Sequence, residues 1–264
     1  MARWPHRPAL LTLMLAALLS ASATMADLED RTARAYEAYR EQAEARFLAR
    51  AGSAVATKSS REPTARAAGE DGIISVPGGL IHHWMGAVFI AGASVRSLVA
   101  LSQDYESYPK VYREVLASRV IGRDGDTYRI ATRLKEGEAG ITAVLDVYST
   151  VRYVVADARA HVVSNSERIH EVRDAGGADE RLLPPGHDSG YLWRASVYTL
   201  FVEGNGGVFM ETETLGLSRA FPALMGWFIE PIARRLGRKS VVRSLEQFQT
   251  QALARACDQA APAR

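Results

Sequence analysis

The amino-acid sequence predicts an α+β fold, in which one antiparallel sheet is covered by a long helix near the C-terminal end. From Ile73 onward, short runs rich in β-branched and aromatic residues alternate with turn signals. The later stretch RKSVVRSLEQFQTQALARA instead repeats apolar residues at the spacing of a helix with one apolar face. A sheet with one apolar face and a terminal helix that covers it form a two-layer α+β arrangement.

The first 26 residues have the pattern of a secretory signal peptide. A basic start is followed by the apolar run ALLTLMLAALL, which is too short to span a bilayer, and then by the small residues SASATMA. Cleavage is expected after Ala23 or Ala26, so the mature protein is expected to be periplasmic or secreted. A buried N-terminal helix is the alternative interpretation of the same residues.

Charge argues against a nucleic-acid-binding protein, and the cysteine content argues against a protein stabilised by internal disulfides. The chain has 32 basic and 30 acidic residues, and loss of the signal peptide with its two arginines would balance the two signs. Recognition of nucleic acid relies on a clear positive excess, so no nucleic-acid partner is expected. The single cysteine, Cys257, cannot form an internal disulfide, and stability must therefore come from packing.

Two segments precede the main domain. Residues 27–50 predict a charged helix with a narrow apolar stripe, and residues 51–72 predict a linker because they lose all periodicity. The stripe consists of Leu28, Tyr36, Tyr39, Ala43 and Phe47. One hypothesis for this helix is that it docks onto a partner or a membrane surface.

The main domain is expected to contain a strand, a helix and then several antiparallel strands. Ser94 is a plausible N-cap for a helix over 94–108, and Pro109 is expected to end it. Asp124-Gly125 predicts a turn, and GNGG predicts a hairpin between two strands. The later strands are expected at 141–156, 160–172, 191–203 and 207–217.

Three stretches resemble the helix-grip superfamily of START-like and polyketide-cyclase-like (SRPBCC) proteins. They are VLALSQDYESYPKVYREVLASRVI, SNSERIHEVRDAGG and FPALMGWFIEPIARRLGRKSVVRSLEQF. The resemblance covers about residues 73–256, with 257–264 as a tail, and it indicates an exported bacterial-type member. It implies a curved antiparallel sheet wrapped around a long C-terminal helix.

The resemblance also implies an apolar cavity between the sheet and that helix. Most such domains bind or carry hydrophobic molecules such as lipids, sterols or quinones, and a minority catalyse cyclisation or hydrolysis. We therefore expect a domain that binds or transfers a hydrophobic small molecule or lipid, with transient membrane contact. The alternative is an enzyme that uses His82, His187 or Arg168 on an apolar substrate in the same cavity.

The two adjacent histidines in LIHHWMGAVFI are expected to be separated by strand geometry. Successive strand residues point to opposite faces, so His82 shares a face with Trp84 while His83 points the other way. A metal site or acid–base pair built from both histidines is therefore not expected. Glu211 and Glu213 share a face of one strand and are expected to lie on a solvated outer surface.

Strand parity also predicts which side chains line the cavity. Apolar faces with a few hydroxyl groups are typical of a ligand pocket, although a filled core would show the same pattern. The predicted lining residues are His82, Trp84, Tyr128, Thr132, Val147, Ser164, Arg168, Trp193 and Val197, with His187 at the cavity mouth. Arg168 would be a charge on an inward face and would need a carboxylate partner. No catalytic set, metal site or cofactor is expected.

Overall fold

A computed structural model describes residues 30–53, 60–138, 141–184, 187–220 and 223–260. Its helices are α1 (Asp30–Gly52), α2 (Val95–Gln103), α3 (Tyr108–Val111) and α4 (Ala223–Ala260), with one 3₁₀ turn at Tyr105–Ser107. Its strands are β1 (Thr64–Ala67), β2 (Ile73–Val76), β3 (Gly79–Ala91), β4 (Val115–Asp124), β5 (Thr127–Glu138), β6 (Ile141–Ala156), β7 (Arg159–Arg173), β8 (Arg181–Leu182), β9 (Arg194–Gly204) and β10 (Gly207–Arg219). The predicted signal peptide lies outside the described residues. None of the helices in these ranges combines the length and the hydropathy that a bilayer crossing requires.

All the strands belong to one antiparallel sheet with the order β1-β3-β10-β9-β7-β6-β5-β4. The short strands β2 and β8 pair with β3 and β7. Helix α4 packs on one face of this sheet, here called the inner face, and α1 packs on the opposite or outer face. This arrangement of an open antiparallel sheet and a long C-terminal helix confirms the predicted helix-grip fold.

Two tight turns fix the register of the hairpins. Gly125 has φ +54° between β4 and β5, and Asn205 and Gly206 have φ +53° and +75° between β9 and β10. Left-handed residues at the first central position of the β4–β5 turn, and at both central positions of the β9–β10 turn, match the right-handed twist of the flanking strands. Both turns lie where the sequence predicts them.

The N-terminal helix is part of the core. Tyr36, Ala43 and Phe47 are buried against the outer face, and the Tyr36 hydroxyl is 3.0 Å from the Ser196 hydroxyl of β9. Leu28 of the predicted stripe lies outside the described residues, and the rest of the stripe packs on the sheet, so it is not available to bind a membrane or a partner. The predicted linker 51–72 also contains β1, which pairs with β3.

The C-terminal ends of α2 and α4 differ from the prediction. Ser94 caps α2 as expected, but α2 ends at Gln103, and Pro109 lies in the first turn of α3. Proline is tolerated there because its missing N–H would have no partner in a first turn. Helix α4 continues to Ala260, so the predicted tail at 257–264 begins as helix.

Candidate functional site

The candidate site lies on the inner face of the sheet. On β3 the even-numbered residues point to this face, and Trp84, Gly86 and Val88 lie on the side of α4. A Cβ atom added to Gly86 would come within 2.4 Å of Val241 Cγ1 and 2.8 Å of Leu245 Cδ1. Glycine at this position therefore lets the helix and the sheet approach closely, which fixes where α4 crosses β3.

One half of the inner face is filled by packed aromatic side chains. Phe248 of α4 stacks on Phe201 of β9 with 6.1 Å between ring centroids. Beyond them, the hydroxyls of Tyr105 and Tyr153 are 2.7 Å apart, and the Tyr128 ring lies 5.5 Å from that of Tyr153. Rings of this size supply much of the burial that holds α4 on the sheet.

The other half of the inner face leaves an apolar side chain accessible. Val197 lies in the middle of the sheet, with Thr214 of β10 and Ser164 of β7 as its cross-strand neighbours, yet 38% of its surface is exposed. Valine in a central strand, on the face that a helix covers, is normally buried. The Val197 side chain is therefore accessible to solvent on the inner face.

Polar groups in this half include the hydroxyls of Ser149, Ser164, Ser166, Thr214 and Ser218, together with the imidazole of His82. Toward the β4–β5 edge, Arg243 of α4 forms ion pairs with Glu114 and Glu136. His82 Nε2 lies 2.8 Å from Ser218 Oγ. Within the described part of the chain, the buried indole N–H of Trp84 has no hydrogen-bond partner. A mainly apolar surface with a few such groups suits an apolar molecule that carries one polar end.

The charge state of His82 follows from its burial. Desolvation lowers the pKa of His82 below its ordinary value of 6.5, because the imidazolium form loses more hydration than the neutral form. At neutral pH the ring is therefore uncharged, with one nitrogen as donor and the other as acceptor. A neutral imidazole suits a hydroxyl or carbonyl group of a ligand better than it suits a carboxylate.

The lowered pKa of His82 predicts a pH-dependent stability. Because unfolded histidine titrates near 6.5, the unfolded state binds more protons than the folded state between the folded pKa and that value. The free energy of unfolding should therefore rise with pH through this window, and the His82→Gln variant should show a smaller rise. Urea unfolding at several values between pH 5 and 7.5 measures the difference. Equal slopes in the two proteins would contradict the burial of a neutral His82.

Seven of the predicted lining residues point to the inner face. They are His82, Trp84, Tyr128, Thr132, Val147, Ser164 and Val197. The strand register places four of them in one cross-strand row, which runs through Trp84, Thr214, Val197, Ser164, Val151 and Tyr128. Thr132 and Val147 form a neighbouring pair outside that row.

The prediction that Arg168 is a buried inward charge is wrong. A register shift in the pairing of β6 with β7 leaves Glu167 unpaired, because Ser149 opposes Ser166 while Tyr148 opposes Arg168. The extra residue of this bulge reverses the parity, so Arg168 is on the outer face. Its exposed guanidinium lies 4.1 Å from the centroid of the Tyr148 ring.

Trp193 and His187 also lie away from the inner face. Trp193 precedes β9, so the alternation of that strand does not apply to it, and it packs in the outer-face cluster. Its indole N–H donates to Asp188 Oδ1 at 3.0 Å. His187 is exposed in the loop between β8 and β9. The three residues suggested for catalysis, His82, His187 and Arg168, therefore do not share one site.

The outer face holds a polar network that the sequence pattern did not reveal. Glu213 is only 2% exposed, although a solvated surface was expected, because α1 covers it. Its carboxylate accepts a hydrogen bond from His83 Nε2 at 2.8 Å and pairs with Arg50 of α1. The Tyr39 hydroxyl lies 2.8 Å from His83 Nδ1.

The charge of Glu213 is maintained by these partners. Burial acts to raise the pKa of Glu213, but the hydrogen bonds from His83 and Arg50 outweigh it and hold the pKa below its usual value. An ionised carboxylate only accepts hydrogen bonds, so Nε2 of His83 carries a proton. The network therefore ties α1 to β3 and β10, and no signal within either segment alone could identify it.

In the described residues, no group of three or more histidine, cysteine, aspartate or glutamate side chains is placed to hold a metal ion.

Comparisons with known proteins find similarity only at the level of solved structures. No family model matches the chain, and no curated protein sequence matches it. A STAR-related lipid transfer protein fragment from Xanthomonas axonopodis is 16% identical with a TM-score of 0.44, over 69% of this chain and 99% of that one. The Zhui aromatase/cyclase from Streptomyces sp. R1128 is 12% identical with a TM-score of 0.43, over 69% and 97%. Human STARD10 is 13% identical with a TM-score of 0.38, over 73% and 83%.

Proposed function

We propose that this chain is an exported, START-like domain that binds or transfers a hydrophobic ligand between the sheet and α4. The ligand class is an apolar molecule with one uncharged polar end, such as a sterol, a quinone or another lipid. The observation that carries the proposal is the exposure of Val197 on the inner face of a central strand. The indole N–H of Trp84, which no acceptor among the described residues pairs with, and the neutral ring of His82 would supply a donor and a second polar contact on that face.

A bound apolar molecule would lower the free energy of the inner face relative to contact with water. Burying apolar surface contributes about 25 cal/mol per Å², so covering the exposed valine and its neighbours with ligand is favourable. A buried N–H without an acceptor costs about 1–3 kcal/mol, and an acceptor on the ligand would remove that cost at Trp84.

Filling the space beside Val197 should abolish binding. In the Val197→Trp variant the indole would occupy the volume proposed for the ligand, so affinity for an uncharged apolar probe should fall at least tenfold, by about 1.4 kcal/mol or more. Fluorescence titration with N-phenyl-1-naphthylamine measures this affinity. Val154→Trp is the matched control, since Val154 is similarly exposed at 46% but lies on the outer face.

Two outcomes of the titration would refute the proposal. One is unchanged binding in Val197→Trp when circular dichroism shows the variant to be folded. The other is an equal loss in Val154→Trp, which would place the probe on the outside of the protein.

A second candidate function is hydrolysis of an apolar ester in the same space. The 2.8 Å contact between His82 Nε2 and Ser218 Oγ favours it, because a neutral imidazole beside a serine hydroxyl can act as its general base. Turnover of an apolar p-nitrophenyl ester by the purified protein, beyond the buffer rate, would favour this candidate over ligand binding alone.

A further inference from the structure

The outer face of the sheet is divided into two unlike halves. Helix α1 covers the half formed by β3, β10 and β9, and its apolar side chains pack there against Ile81, Leu215 and Tyr198. The half formed by β4, β5, β6 and the adjoining part of β7 has no helix over it among the described residues. This second half is called the basic face below.

The strand register places cations side by side on the basic face. One cross-strand row contains Arg119, Ala131, Tyr148 and Arg168, from β4 to β7. On β5, Arg129 and Arg133 flank Ala131 two residues away on either side, and Lys135 comes two residues after Arg133. Arg152 of β6 lies beyond Arg129, where it pairs with Thr127. Five of these six cations have exposed side chains, and Arg133 is partly buried.

Carboxylates neutralise only part of this charge. Asp146 and Glu180 both bind Arg133 at 2.7 Å, and Glu167 is hydrogen-bonded to Thr150. Glu44 of α1 reaches Arg152 only at 3.9 Å.

Four of the six arginine and lysine side chains have no acidic neighbour. No carboxylate in the described ranges lies within 4 Å of the charged groups of Arg119, Arg129, Lys135 or Arg168. The face therefore has a positive excess that the near-neutral sequence as a whole does not suggest.

A shallow depression of about 240 Å³ lies in the middle of the basic face. Its lining includes the small side chains of Ala117 and Ala131, the cations Arg119 and Arg133, and Asp146, which is paired with Arg133. The depression is large enough for a phosphate group. One guanidinium group can bind two phosphate oxygens at once, through two hydrogen bonds.

Exposed aliphatic side chains lie at two borders of the basic face. Val154, at the end of β6, is 46% exposed on the outer face, whereas its neighbour Val155 pairs with Ala160 and points to the inner face. Leu116 and Ile121 are the extra residues of two bulges in the edge strand β4, and both are largely exposed. Aliphatic groups beside a cluster of cations are the combination that binds the interface of an anionic bilayer.

We propose that the basic face docks on a membrane rich in anionic phospholipids, with Arg119 and Arg168 on headgroup phosphates and the border aliphatics in the interface. This contact is on the side of the sheet opposite the proposed ligand space, and it does not depend on the inner face being occupied. In this proposal the basic face contacts the membrane, and α1 does not, because the apolar stripe of α1 is buried against the sheet.

Sedimentation with large unilamellar vesicles tests this assignment in the full chain. We expect binding to vesicles of phosphatidylcholine and phosphatidylglycerol to exceed binding to phosphatidylcholine alone, and to fall as salt is raised. The Arg119→Gln/Arg168→Gln variant should bind the anionic vesicles at least tenfold more weakly. The matched control is Arg34→Gln/Arg46→Gln, which removes two exposed arginines from α1 and should stay within twofold of the unchanged protein.

Three results would overturn the proposal. They are equal binding to the two vesicle types, an equal loss in both double variants, and binding to a single-stranded oligonucleotide without binding to the anionic vesicles. Because all four substituted arginines have exposed side chains, both variants should fold, and thermal unfolding verifies it.

Discussion

Replacement of Glu213 by alanine should lower the free energy of unfolding by about 3 kcal/mol. The substitution removes the carboxylate that joins His83 to Arg50, in a position that is 2% exposed. Breaking a buried ion pair costs about 3–5 kcal/mol when a buried charge is left alone. The lower end applies here, because Arg50 is 38% exposed and water can solvate its charge when the carboxylate is removed.

Urea unfolding at pH 7 measures this effect, with Glu211→Ala as the matched control. Glu211 is on the same face of β10 and lies 3.4 Å from Arg50, but its side chain is more exposed and does not contact His83. We expect a loss below about 1 kcal/mol for the control, because the 3.4 Å ion pair to the partly exposed Arg50 is the one described ion pair of Glu211 and no hydrogen bond of its Oε1 is lost. A similar loss in the two variants would show that the buried network does not hold α1 in place.

The second large effect is expected where α4 crosses β3. A methyl group at Gly86 would lie 2.4 Å from Val241 Cγ1, so Gly86→Ala should cost about 1–3 kcal/mol by overpacking. Alanine in place of glycine within a strand would otherwise be favourable by about 0.5–1 kcal/mol, so the sign of the change depends on this contact.

A double-mutant cycle with Val241→Ala isolates that contact. Val241→Ala alone should destabilise the protein by removing buried methyl groups, and it should also make room for the Cβ atom that Gly86→Ala adds. The double variant should therefore be at least about 1 kcal/mol more stable than the sum of the single changes predicts. Strict additivity in urea unfolding would mean that α4 does not cross the sheet at Gly86.

Local signals were sufficient to predict most of the architecture. The runs at 141–156 and 207–217 carry β-branched residues between turn signals, and they form β6 and most of β10. The Asp-Gly and Asn-Gly turns are determined by left-handed backbone positions that few residues adopt, so their location follows from composition. The apolar periodicity after Arg238 likewise predicted the part of α4 that packs on the inner face.

The site residues were less predictable because the positions of two of them, Arg168 and Glu213, depend on contacts between distant segments. Alternation placed Val197 and Ser164 on the inner face correctly, but the bulge at Glu167 moved Arg168 to the outer face. Nothing within β7 alone marks that bulge. The burial of Glu213 depends on α1, whose residues lie more than 160 positions away in the chain.

The most direct test of the central claim is native mass spectrometry of the protein purified from its own host. The proposed ligand space beside Val197 predicts a retained hydrophobic compound, present in the unchanged protein and in Val154→Trp but absent from folded Val197→Trp. An unchanged protein that carries no such compound, and that also fails to bind N-phenyl-1-naphthylamine, would contradict the account.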